Sequence, residues 1–211
     1  MNLSREIKLT KVGRTIKNAD IEIIEEMFKD GKLETLQKIG SGCFGVVYKY
    51  TSLNGKTFAI KYSKQYYSGA NVERAYDIET LLELRGNKYI PRIHAYDNTS
   101  LDGQFIMIVD FIDGVSIADY RNQFRLNTRF VENFKKTLDI MVSKKITLND
   151  LHGHNILVEK KSGIPIIIDF GGCYKTQYNI ISTYTYDVVL DRIKGMFQDY
   201  VSSTAKTEVV A

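Results

Sequence analysis

Gly40-Ser41-Gly42-Cys43-Phe44-Gly45-Val46-Val47-Tyr48-Lys49-Tyr50 is the stretch on which the fold turns. A turn of glycines lets backbone N–H groups approach phosphate oxygens with no Cβ in the way. The same Gly-x-Gly-x-x-Gly string serves dinucleotide-binding folds, but there a helix follows at once and an acidic residue comes about twenty residues on. Here β-branched residues follow, and position 61 is a lysine. The glycines therefore lie between two strands of an antiparallel sheet. Asn54-Gly55 supplies the next turn, and Thr57-Phe58-Ala59-Ile60-Lys61-Tyr62 the strand after it.

Outward from that hairpin, Ile21, Ile24, Met27 and Phe28 fall at helical spacing and Asp30-Gly31 ends the run, predicting a short amphipathic helix that packs on the sheet. Residues 71–85 read as a helix, stopped by Gly86-Asn87, and 90–96 and 105–111 as strands around a turn at 98–103. Asp113-Gly114 marks a change of character. Helices are expected over 116–124, 129–145 and about 186–200, with short strands at 156–159 and 164–169. The expected fold class is α+β, with an antiparallel-sheet first lobe carrying one main helix and a reduced, mainly helical second lobe. The expected divisions are an N-terminal extension over 1–31, a first lobe with its hinge over 32–112, a second lobe over 113–201 and a flexible tail over 202–211.

Composition narrows the partners. Of 211 residues 44% are hydrophobic, enough for a core, and the net charge is +4. The basic residues are scattered, with no dense run and no interleaved aromatics, so nucleic acid is not an expected partner. Two cysteines at positions 43 and 173 make no disulfide framework, and His94 and His154 have no second ligand at metal spacing. The first residues are too polar for a cleaved signal peptide, and no stretch reaches the ~20 apolar residues of a membrane span.

Four blocks carry chemistry. The glycine turn is the first. Lys61, at the end of the strand that follows, is the second: a lysine fixed on a strand holds phosphates as a point charge and needs an acidic partner. The helix at 71–85 offers Glu73, Glu79 and Glu83, and spacing to the next strand selects Glu79. The third block is Asp150-Leu151-His152-Gly153-His154-Asn155, and the fourth is Ile168-Asp169-Phe170-Gly171. An Asp that accepts a hydroxyl hydrogen bond, an Asn five residues later and an Asp ending a buried strand form a phosphoryl-transfer set, with Asn155 and Asp169 as metal ligands.

From about Leu36 to Gly172 the chain resembles a protein kinase. The resemblance implies ATP, with Mg²⁺ or Mn²⁺, held by Gly40, Ser41, Gly42, Cys43, Phe44, Gly45, Lys61 and Glu79. Asp150, Lys61, Asn155 and Asp169 would be the catalytic residues. By the same analogy Val109 is the gatekeeper, Asp110 to Ile112 offer backbone groups to adenine, and Asp113 or Ser116 lies near the ribose. Val47 and Ala59 would cover the base from above, with Ile156 or Leu157 below.

The departures are informative. Leu148-Asn149 stands where kinases carry His-Arg, and no Ala-Pro-Glu follows Asp-Phe-Gly. His152 replaces a lysine, and the resulting Asp-x-His-x-x-Asn also occurs in aminoglycoside and choline kinases. In size the chain is similar to the minimal kinases that bacteria inject as type III effectors, most of all the Hop-BF class. That resemblance implies a secreted monomer acting in the host cytoplasm on a protein Ser or Thr, with the ninety-kilodalton heat-shock chaperone as the known target of the class.

Overall fold

A computed structural model describes residues 7–42, 45–63, 77–97, 105–119, 128–148, 152–170 and 173–175. The chain divides into two compact units, one built from residues up to Gly86 together with Pro91–Ile112, the other from Asn87–Ile90 and the residues from Asp113 onward.

Among the described residues, the first unit holds an antiparallel sheet with two α-helices. In chain order come β1 (Thr10–Lys11), α1 (Asn18–Lys29), β2 (Gln37–Gly42), β3 (Gly45–Thr51), β4 (Thr57–Ser63), α2 (Asp77–Glu83), β5 (Ile93–Asp97) and β6 (Phe105–Asp110), and the six strands lie in the order β1-β5-β6-β4-β3-β2. The hairpin between β3 and β4 closes where expected. Gly55 takes φ +78°, and the Ser52 N–H and hydroxyl both donate to the Lys56 carbonyl at 2.8 Å. β1 had no sequence signal; at two residues it is too short to show a period, and only its pairing with Ala95 and Tyr96 reveals it.

The period-two alternation of β4 decides what each face does. Phe58, Ile60 and Tyr62 enter a core with Ile16, Ile21, Ile24 and Phe28 of the N-terminal segment, and with Tyr48, Tyr50, Ile106 and Ile108 of the neighbouring strands. The expected amphipathic helix is α1, and it packs on this core through Ile21, Ile24 and Phe28. Burying three such side chains is worth about 5 kcal/mol before entropy is charged against it. Asp20, 1% exposed, ties the helix to the sheet: its Oδ1 accepts from the Tyr50 hydroxyl and the Leu53 N–H, each at 2.9 Å. Burial, and then the bond to Asp20, push the Tyr50 phenol well above its ordinary range.

In the second unit come β7 (Gly114–Ser116), α3 (Thr128–Ser143), β8 (Ile146–Leu148), β9 (Ile156–Glu159), β10 (Pro165–Ile167) and β11 (Cys173–Lys175). The strands form a three-stranded sheet β10-β9-β7 and an antiparallel pair β11-β8. α3 and the strands at 156 and 164 match expectation closely. Residues 114–116 are a strand, whereas the helix expected from 116 gives only a turn at 117–119 before the described residues stop at 119. Ser116 caps that turn, its hydroxyl oxygen accepting the Asp119 N–H at 3.1 Å. The helix expected at 186–200 lies outside the described residues.

Candidate active site

In the first unit the strand register gathers one set of side chains on the face opposite the α1 core. Val47 and Met107 stand across from Lys61, and Lys49 and Val109 across from Ala59. Val47, Ala59, Lys61 and Val109 thus share a surface, three apolar groups with one ammonium. Lys61 is 8% exposed and its Nζ lies 2.6 Å from Asp77 Oδ2, a carboxylate that is 1% exposed. A buried ammonium without a counter-charge would be very unfavourable, so the pair holds Lys61 both charged and aimed.

That pairing corrects the choice of Glu79. Glu79 is exposed, while Asp77, Ile78, Thr80 and Leu81 are the buried positions of α2, and Leu84 just after it is buried too. At 3.6 residues per turn, two positions carry Glu79 about 200° around the axis from Asp77. The spacing Asp77, Leu81, Leu84 (i, i+4, i+7) was legible in the sequence.

The glycine turn has a revealing property. Gly40 and Gly42 do not have left-handed φ values. A Cβ at Gly40 would meet Val47 only at an ordinary 3.8 Å, and one at Gly42 would meet nothing within 4 Å. Among the described residues, no neighbour packs closely enough to require glycine at either place. Cys43 and Phe44 lie outside the described residues; Ser41 is exposed and Gly45 begins β3. Beside them Ile39 is 41% exposed, a large apolar side chain on the surface that the sequence reading missed. It sits at the bulge between Lys38 and Gly40, where strand alternation gives no guide to its direction.

At the end of β6, Asp110 is heavily bonded. Its carboxylate accepts from Arg92 Nε at 2.8 Å, the Arg92 backbone N–H at 3.1 Å and Arg92 Nη2 at 3.2 Å, and lies 2.9 Å from His94 Nε2. Burial pushes its pKa up, but the His94 and Arg92 bonds outweigh that and hold it well below the usual carboxylate range. Phe111 follows, half-buried, with Lys49 Nζ 4.7 Å from its ring centroid, and Ile112 is half-buried.

The second unit holds the other candidates. Asp113 is exposed and paired with Lys160 at 2.7 Å, and Ser116 donates its hydroxyl to Asp119. In β9, Ile156 is fully buried, whereas Leu157 is only partly buried. Of the two, Leu157 therefore keeps surface to offer a ligand. Asn155 ends a short 3₁₀ turn, 8% exposed. Its N–H donates to the His152 carbonyl, and its own carbonyl accepts the Ile168 N–H at 3.0 Å. That last bond sets Asn155 beside the residue preceding Asp169, which is half-buried. Gly153 makes the turn possible, since a Cβ there would come within 3.1 Å of the Ala118 backbone.

Asp150 lies outside the described residues. The chain leaves β8 at Leu148, two residues before it, and Cys173, four residues past Asp169, pairs with Leu148. Exposed His152 and His154 stack edge to face at 5.9 Å. Among the described residues no three His, Cys, Asp or Glu form a metal cluster. The carboxamide of Asn155 and the carboxylate of Asp169 are hard oxygen donors, the kind Mg²⁺ and Mn²⁺ take alongside water and phosphate. The residues present fit such an ion.

Comparison with known proteins agrees with this arrangement. The protein kinase domain model matches residues 33–189, and the chain belongs to that family. Serine/threonine-protein kinase D of Synechocystis sp. is 27% identical over 157 residues, covering 69% of this chain and 31% of that protein. MAP kinase-interacting serine/threonine-protein kinase 1 of Xenopus laevis is 30% identical over 164 residues, 73% of this chain and 38% of that one. The chain thus spans about a third of the length of the curated relatives it matches. A protein kinase domain implies ATP and a divalent metal. No helix among the described residues is long and apolar enough to cross a membrane.

Proposed function

We propose that this chain transfers the γ-phosphate of ATP to a Ser or Thr hydroxyl of a protein. One observation carries the proposal: a lysine ammonium, buried and pinned by Asp77, on the same sheet face as Val47, Ala59 and Val109. Lys61 holds phosphate charge, and the glycine turn lets backbone N–H groups reach phosphate oxygens. The apolar surface of Val47, Ala59 and Val109 takes the nucleobase. Asn155 and Asp169 hold Mg²⁺, which neutralises charge on the phosphates. Asp150 accepts the proton-bearing side of the acceptor hydroxyl and orients its oxygen. The serine/threonine assignment rests on the names of the relatives.

The finer proposal is a bacterial effector of the Hop-BF kind, passing from the bacterial to the host cytoplasm. Its support is Leu148-Asn149 in place of His-Arg before Asp150. The ninety-kilodalton chaperone is the first substrate to try. A second reading, a kinase of sugars, choline or aminoglycosides, is favoured by Asp-x-His-x-x-Asn around His152. Labelled ATP offered with a host lysate, and separately with those small molecules, tests both. Label on protein serine or threonine supports the proposal; label only on small molecules overturns it. Asp169→Ala should cut transfer about a thousandfold, and a wild-type rate in that variant sinks the assignment.

A further inference from the structure

Asp110 closes β6, and on the proposed function its backbone, with that of Phe111 and Ile112, meets the nucleobase. Its side chain does something else. Asp110 stands opposite Phe58 in the sheet, and Phe58 lies in the α1 core, so the carboxylate projects away from the face that holds Ala59 and Lys61. There it is gripped by Arg92 and His94 through the four contacts described above. Arg92 adds a reciprocal bond, its carbonyl accepting the Asp110 N–H at 3.0 Å. His94 is itself fixed: 1% exposed, edge-on to Phe58 at 5.0 Å, and with its carbonyl accepting the Val12 N–H at 2.7 Å. A strand-end residue with no carboxylate anchor would be free to twist where the chain leaves the sheet. This one is held on the far side by a buried ring and a fork of donors.

We propose that His94 and Arg92 are positioning residues for nucleobase recognition, acting through the Asp110 side chain to set the peptide groups that follow β6. The inference rests on the kinase reading. It makes a prediction that reading does not: the two residues govern affinity for the base and leave affinity for phosphate alone.

The test uses the full chain with Mg²⁺, measuring the affinity of a fluorescent ATP analogue and, by competition, of inorganic tripolyphosphate. A lost hydrogen bond to a half-buried carboxylate corresponds to roughly a tenfold change. His94→Ala is therefore expected to weaken ATP about tenfold and leave tripolyphosphate unchanged. His94→Gln, whose amide can still donate, should recover most of the loss. Arg92→Ala carries the same test on a side chain that is 58% exposed, so it decides the matter if His94→Ala does not fold. Variants that bind ATP like the wild type, or lose ATP and tripolyphosphate equally, overturn the inference while the kinase reading stands. Wild-type protein with no affinity for ATP overturns both.

Discussion

The two units solve different packing problems. In the first, a six-stranded sheet with long central strands gives each side chain a definite face, and its charges sit in bonded sets such as Lys61 with Asp77 and Asp110 with Arg92 and His94. In the second, strands of three or four residues are held by close backbone approach. A Cβ on Gly114 would lie 2.7 Å from the Val158 carbonyl oxygen, and Gly153 rests on Ala118. The first unit thus aims its functional groups through side-chain pairing on a rigid sheet. In the second, a backbone bond from the Ile168 N–H to the Asn155 carbonyl sets Asn155 beside the segment that carries Asp169.

Cutting the side-chain pair should give the largest effect. Asp77→Asn removes the carboxylate that lies 2.6 Å from the buried Lys61 ammonium, and breaking a buried pair costs about 3–5 kcal/mol, which should be visible as a lower denaturation midpoint. Phosphate transfer should fall with it. Glu79→Gln, on the exposed side of the same helix, should change neither. Equal losses in the two variants would restore Glu79 as the partner and break the account of the first unit.

Glycine substitutions sharpen the contrast next. Gly114→Ala forces a methyl into the Val158 carbonyl, and overpacking of this kind costs about 1–3 kcal/mol. Gly42→Ala meets open space, so its stability should stay within about 0.5 kcal/mol of wild type while ATP binding weakens. On the proposed function, one glycine answers to the fold and the other to a ligand. Calorimetry and nucleotide titration on both variants separate the two demands, and a Gly42→Ala protein with full ATP affinity would remove the argument for a phosphate at that turn.

Acid should act on Asp110 more gently. Its folded pKa is depressed, so the stability it contributes is fully present above the unfolded value of about 3.9. That contribution is lost only as pH falls through the lower folded value. The gap in melting temperature between wild type and Asp110→Asn should hold at neutral pH and narrow below about pH 4. A gap that closes between pH 5 and 7 would assign it to another group.

How legible this was in the chain depends on length and period. The β3–β4 hairpin, α1 and α3 are legible through Asn54-Gly55 and through apolar spacing sustained over two or more turns. Lys61, Asn155 and Asp169 are singled out in the sequence by order and spacing of motifs, since each residue type alone is common at surfaces and turns. What escaped were features fixed by partners distant in sequence. Two-residue β1 exists through its pairing with β5, Ile39 points where a bulge sends it, and Asp77 was identified by which acid faces Lys61 rather than by residue type.

The smallest effect belongs to a pair that resembles the first-unit clamps in name only. Lys160 Nζ lies 2.7 Å from Asp113 Oδ1, as close as Lys61 is to Asp77, but the two side chains are 54% and 68% exposed against 10% and 1%. Water already solvates both charges, so holding them together gains little; exposed pairs contribute about 0–1 kcal/mol, and salt screens them. Lys160→Ala should therefore leave the denaturation midpoint nearly unchanged, and raising the salt should erase what difference remains. The backbone bond from the Lys160 N–H to the Asp113 carbonyl, 2.9 Å, survives the substitution and keeps β9 registered on β7. A midpoint shift as large as that of Asp77→Asn would mean that distance, and not burial, sets the worth of an ion pair in this protein.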